Sequence, residues 1–233
     1  MSAASSSSRA RLADREAGAQ PAPLPARALG MGLEQLVRRG LRGVWLRGQL
    51  PPGGCVWAAN HHSWWDGFLA AAVLRRQHRS AALLMDGDNL SDYHFLATLG
   101  VISTGQPRQA LRSLRAGRVL VIFPEAELRP VGRLGELAPG AAWLARRAPA
   151  PLLPVGVRVA ARGHQYPEAL IEIGAPCPPD RLAAELAERL AGLDAALAAT
   201  DPREPVPGFH RVVAGRPSWD ERIDRWSAKL GRR

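Results

Sequence analysis

The 233-residue chain is 46% hydrophobic and carries a formal charge of +10, a size and composition that suit one α/β domain with tails. Its two cysteines, Cys55 and Cys177, lie far apart in no metal-spaced or redox motif, which excludes a disulfide scaffold and predicts a buried free thiol at Cys55. No run of about 18 uncharged apolar residues is present, so no membrane-spanning helix is expected, and the amino terminus lacks the apolar core of a secretory signal.

All but one of the 31 basic residues are arginine, the exception being Lys229. Such a charge suits an acidic partner. The arginines do not alternate with aromatics and no reader motif is present, so nucleic acid is set aside in favour of an anionic membrane surface.

Residues 1–26, serine- and proline-rich, read as a disordered tail. From 27 to about 47, Leu29, Leu33, Leu36, Val37, Leu41, Val44 and Trp45 recur every three to four positions with arginines between them. That spacing predicts a basic amphipathic helix, either lying in a membrane interface or packed on the domain with a solvated arginine face.

Residues 54–59 read as a buried strand and 68–76 as a helix. Further strands are expected at 81–85, 101–104, 119–123, 152–157 and 169–173, and helices at 90–99, 107–116, 140–147, 180–199 and from 218 onward. The run 119–123 is the best candidate for a central strand. Pro154 points to an edge strand or a bulge, and 201–217 reads as a linker. Alternation of this kind predicts an α/β fold, one domain at 27–200 with a mixed, mostly parallel sheet flanked by helices.

Between the first of these strands and its helix stands Asn60-His61-His62-Ser63-Trp64-Trp65-Asp66-Gly67. Ligands of open α/β sheets bind at such strand-to-helix turns. His61 and Asp66 are five apart, an offset that separates them on one helix; they meet only with His61 in the loop and Asp66 in the first helical turn. The acid then holds one imidazole nitrogen and leaves the other as a general base. Ser63-x-x-Asp66 is equally a capping box, so Asp66 serves as a cap, as an orienter, or as both. Glu125 and Arg129 flank the end of the 119–123 run, one suited to accept bonds from hydroxyls and the other to clamp phosphate oxygens.

Asn60-His61-x-Ser63-x-x-Asp66, Phe123-Pro124-Glu125 and Leu153-Pro154-Val155 resemble motifs I, III and IV of the PlsC-type 1-acylglycerol-3-phosphate acyltransferases, over about residues 28 to 175. The resemblance implies a glycerolipid acyltransferase fold and a fatty acyl transfer from acyl-CoA or acyl-carrier protein to a lipid hydroxyl. His61 would be the base and Asp66 its orienter, with Asn60, Ser63, Arg108, Glu125 and Arg129 on the substrate side. It implies no cofactor and no metal, a membrane-docking amino-terminal helix, and a peripheral position on the inner face of the cell membrane.

Two departures stand out. The arginine expected shortly after Gly100-Val101-Ile102 is Gln106, with Arg108 as the nearby substitute. The expected Gly-Thr-Arg after Glu125 is Ala126-Glu127-Leu128, with Arg129 one place late. Glu127 would repel a phosphate and suit a sugar or polyol, so an acceptor other than lysophosphatidic acid is the alternative.

Three competitors remain at this level. The His-His-x-x-x-Asp-Gly pattern of condensation-type acyltransferases would make His62 the base, and it leaves Phe-Pro-Glu unexplained. A metal site on His61, His62 and Asp66 lacks a distant ligand to complete it. A non-catalytic lipid-binding protein would not need an intact motif I.

Overall fold

The computed structural model describes residues 24–92 and 94–230. Helix α1 (Leu24–Gly40) leads into strand β1 (Gly43–Arg47), and β2 (Cys55–Ala59) into α2 (Asp66–Arg76). Then come β3 (Ala81–Met85), α3 (Gly87–Asp92), a 3₁₀ turn at His94–Leu99, β4 (Val101–Ser103), α4 (Pro107–Arg115) and β5 (Val119–Ile122). The chain continues through α5 (Gly140–Arg147), β6 (Leu152–Ala160), β7 (Glu168–Ile173), α6 (Leu182–Ala199), β8 (His210–Ala214) and α7 (Trp219–Leu230).

All eight strands form one sheet in the order β4-β3-β5-β2-β6-β7-β1-β8. Strands β2 to β6 run parallel, so their carboxyl ends share one edge of the sheet; β7 is antiparallel to β6, β1 follows β7, and β8 runs antiparallel to β1. The mixed, mostly parallel α/β sheet expected from the alternation is what the chain builds.

Side chains of β2 alternate between two cores, as a period of two requires. Cys55, Trp57 and Ala59 pack with Val37 of α1, Leu41 just past its end, and Leu69 and Val73 of α2. Val56 and Ala58 pack on the opposite face with Ala110 and Leu114 of α4, Leu144 of α5 and Leu186 of α6. Burial raises the Cys55 thiol to about 11, so it is an inert core group, as expected.

Several expectations change. The amphipathic helix stops at Gly40, and Val44 and Trp45 belong to β1. A Cβ at Gly40 would lie 2.2 Å from the Trp65 ring; the helix can pass the motif loop this closely only without one. The span 201–217 is no mere linker, because β8 pairs with β1 at the far edge of the sheet. Pro154 is not in an edge strand: β6 lies between β2 and β7. It is tolerated at the last rung, where its carbonyl accepts from Gly174 N at 2.9 Å just beyond the Val155–Ile173 pair, so one bond is forgone at the end of the ladder. Of the proline-rich tail, residues 24–26 are helical and the rest lies outside the described residues.

Candidate functional site

Helix α2 starts at Asp66 because the preceding loop donates to its side chain. Asp66 is 1% exposed, and its Oδ2 accepts from His61 Nδ1 at 2.9 Å, His62 N at 2.8 Å and Ser63 N at 2.9 Å. The Ser63 contact is the returning half of a capping box. The Ser63 hydroxyl accepts from Trp65 N at 3.2 Å and does not cap the helix. One carboxylate therefore caps the turn and orients the imidazole. With Nδ1–H donated to Asp66, Nε2 of His61 carries the lone pair. The His61 side chain is 26% exposed and stacks on Phe123 with ring centroids 4.5 Å apart.

The next imidazole has the opposite fate. His62 is 4% exposed, its Nδ1 lies 3.1 Å from Asn60 Nδ2, and its Nε2 faces Val159 N at 3.2 Å. Burial lowers its pKa, with Arg158 and His61 adding to the fall while Asp66 and Glu125 oppose it. A neutral ring wedged against β6 has no room to take a substrate proton, which removes the pattern in which the second histidine is the base.

Two expected substrate contacts have other work. Asn60 is 2% exposed; its Oδ1 accepts from Val157 N at 2.8 Å and its Nδ2 donates to Val157 O at 3.2 Å. It extends the pairing of β6 past the end of β2. Glu125 is 5% exposed and accepts from His61 N at 2.7 Å through Oε2 and from Gly135 N at 2.8 Å through Oε1. It fastens the loop after β2 to the loop after β5. A Cβ at Gly135 would come within 3.1 Å of that carboxylate and 3.3 Å of Arg129 Nε, so a side chain there would push both groups by a few tenths of an ångström.

Arg129 is at the site. Its backbone N–H donates to His61 O at 2.8 Å, while its guanidinium meets Glu127 Oε1 at 2.5 Å, both side chains partly exposed. Arg108 is elsewhere. With Gln106 and Arg112 it lines an open hollow of about 510 Å³ at the start of α4, three strands along the same edge, roughly 14 Å at 4.8 Å per strand. Sequence reasoning missed Val157, Val159 and Gly135. They act through backbone groups and leave no mark in side-chain chemistry.

Residues 44–158 match the family model described as Acyltransferase. A second model, the mycothiol maleylpyruvate isomerase N-terminal domain, matches residues 136–225. That span contains β6 and β7, which are built into the same sheet as the site. No relative among curated proteins matches. Among solved structures, the chain is similar to the 1-acyl-sn-glycerophosphate (LPA) acyltransferase PlsC from Thermotoga maritima, with a TM-score of 0.50 and 17% identity over 72% of this chain and 77% of that one. At that identity the likeness speaks for the fold.

Proposed function

We propose that the chain, whose residues 44–158 match the acyltransferase family model, transfers a fatty acyl group from a thioester, acyl-CoA or acyl-carrier protein, to a hydroxyl of a lysophospholipid-like acceptor. The observation that carries this reading is the His61–Asp66 contact at 2.9 Å with the imidazole a quarter exposed. As the hydroxyl attacks the thioester carbonyl, Nε2 of His61 takes its proton. The imidazolium so formed is stabilised by Asp66, and the tetrahedral intermediate collapses to the ester and a thiolate, which recovers the proton. Glu125, Asn60 and His62 are positioning groups that keep the loop on its strand. No step in this scheme draws on a metal or a cofactor.

A second acceptor class is favoured by one contact. Glu127 neutralises Arg129 at 2.5 Å and would repel a phosphate there, which suits a glycosylated or polyol lipid. Exposed pairs of this kind are worth about 0–1 kcal/mol, so a phosphate competes with Glu127 for Arg129. Either acceptor is a lipid, so we place the protein peripherally on a membrane surface, on the inner face of the cell membrane. None of the described helices is long and apolar enough to cross a membrane.

The test is purified protein with acyl-CoA or acyl-carrier protein and a panel of acceptors in detergent micelles, read by mass spectrometry. Acyl transfer abolished by His61→Ala is the expected result. Transfer that survives His61→Ala, or no transfer to any acceptor, overturns the reading. Lysophosphatidic acid turned over in preference to every phosphate-free acceptor, with loss in Arg129→Ala, overturns the second acceptor class.

A further inference from the structure

Helix α7 is mounted with its apolar side outward. Trp219, Ile223 and Trp226 fall within about 60° of helix circumference at 100° per residue, and they are 55%, 54% and 61% exposed. Glu221, roughly 170° from that stripe, faces the body. It accepts from Arg42 Nη2 at 3.0 Å and Ser218 N at 2.8 Å, and Arg42 also pairs with Glu168. A helix of a soluble domain ordinarily buries its apolar stripe; α7 leaves the stripe in solvent and turns Glu221 inward.

Its position is as telling as its orientation. Glu168 pairs in register with Ala160 at the carboxyl end of β6, so the Arg42 anchor lies on the edge of the sheet that carries His61. Strand β8 ends at that edge too, with Ala214 opposite Gly43. The loops after β2 and β5 add Trp64, Leu128 and Val131, exposed by 61%, 55% and 64%. Arg222 lies over the Trp219 ring at 4.4 Å and Arg216 over the Tyr166 ring at 4.7 Å, so cations sit beside aromatic bodies as in a membrane interface.

We propose that α7 is an interfacial anchor that lays its Trp219–Ile223–Trp226 stripe into an anionic lipid surface and turns the His61 edge toward it. The inference rests on the acyltransferase reading for its purpose and on the orientation of α7 for its substance. Two observations favour lipid over a second copy of this chain. Three half-exposed side chains offer roughly 400 Å², about 800 Å² for a symmetric pair, below the range of a stable interface. The formal charge of +10 favours an anionic surface and opposes self-association. On α7 itself Asp220, Glu221 and Asp224 balance Arg222, Arg225 and Lys229, so the attraction is that of the whole basic chain and the helix supplies the apolar grip.

Flotation with vesicles of phosphatidylglycerol and phosphatidylcholine tests this on the full chain. Trp219→Ser/Trp226→Ser is expected to weaken partitioning about tenfold or more, while Trp143→Ser, an exposed tryptophan on α5, leaves it unchanged. Micellar acyl transfer and the melting temperature of the double variant stay at wild-type values. Flotation of the double variant equal to wild type overturns the anchor, as does equal binding to vesicles of phosphatidylcholine alone. A wild-type dimer that the double variant abolishes while flotation persists assigns the stripe to a second copy and equally overturns it. Binding through α7 by a protein inactive in micelles would instead sink the enzymatic reading and leave the anchor standing.

Discussion

The two flanks of the sheet edge are built on different plans. On the β2–β6 flank three buried polar side chains are held by backbone: Asp66 by His62 N and Ser63 N, Glu125 by His61 N and Gly135 N, Asn60 by both polar groups of Val157. On the outer flank Arg129 meets the exposed carboxylate of Glu127, and Arg108 borders an open hollow. The first flank is preorganised and therefore suited to a proton transfer that tolerates little misplacement. The second is adjustable, and the proposed function puts the choice of acceptor there.

The sharpest test of that division is at the base. His61→Ala should lower kcat by about 10³-fold or more, and Asp66→Asn by about 10² to 10³, at wild-type KM for the acceptor. A raised KM with unchanged kcat would move His61 to the binding flank. Asn60→Ala should cost about 2–3 kcal/mol in denaturant unfolding, because it strands the buried N–H and C=O of Val157.

Changes on the adjustable flank should be milder. Glu127→Ala is expected to raise kcat/KM for a phosphate-bearing acceptor about fivefold and Arg129→Ala to lower it by about as much, with phosphate-free acceptors indifferent to either change. Equal effects on both acceptor classes would show that the pair does not read the head group.

The pH response separates the two imidazoles. His62 has its pKa depressed by burial below the ordinary value of 6.5, so the unfolded chain binds the proton more readily. The stability this contributes is complete above about 6.5 and is lost as pH falls below it. Arg158, Asp66, Glu125 and His61 face the same ring and tune the position of the step. Thermal melts of His62→Gln should show a shallower fall in Tm between neutral and mildly acid pH than wild type. The smallest effect is expected at Ala126, whose φ of 63° costs a side-chain-bearing residue about 1 kcal/mol. Ala126→Gly should recover that much stability without altering kcat.

What could be read in advance follows the same division. The segments 81–85 and 140–147 were legible to the residue, since each carries its own period and its own stops. The His61–Asp66 meeting was legible because only one backbone path allows a five-residue offset to close. Strand β1 was not, because Val44 and Trp45 prolong the three-to-four spacing of Leu36, Val37 and Leu41, and only pairing with β7 and β8 makes them extended. The short β8 looked like linker for the same reason.

Nor did the residues around the motif announce their partners. Glu125 and Asn60 looked like ligand contacts, being polar residues in motifs; their burial depends on backbone groups of Gly135 and Val157 that no side-chain pattern records. Two helices with similar amphipathic spacing are mounted oppositely. Helix α1 presses Val37, and Leu41 just past its end, into the core, whereas α7 turns its stripe outward. Spacing gives the stripe, and tertiary attachment gives its direction.

The bracket between Asn60 and Val157 spans 97 positions. A nascent chain that has already made its histidine motif and first helix therefore still lacks the strand that squares the loop. On the proposed reading, chemistry would switch on only when the middle of the sheet is zipped shut, and thioester turnover would double as a reporter of global folding. A fragment halted before residue 152 would carry the whole motif and be silent.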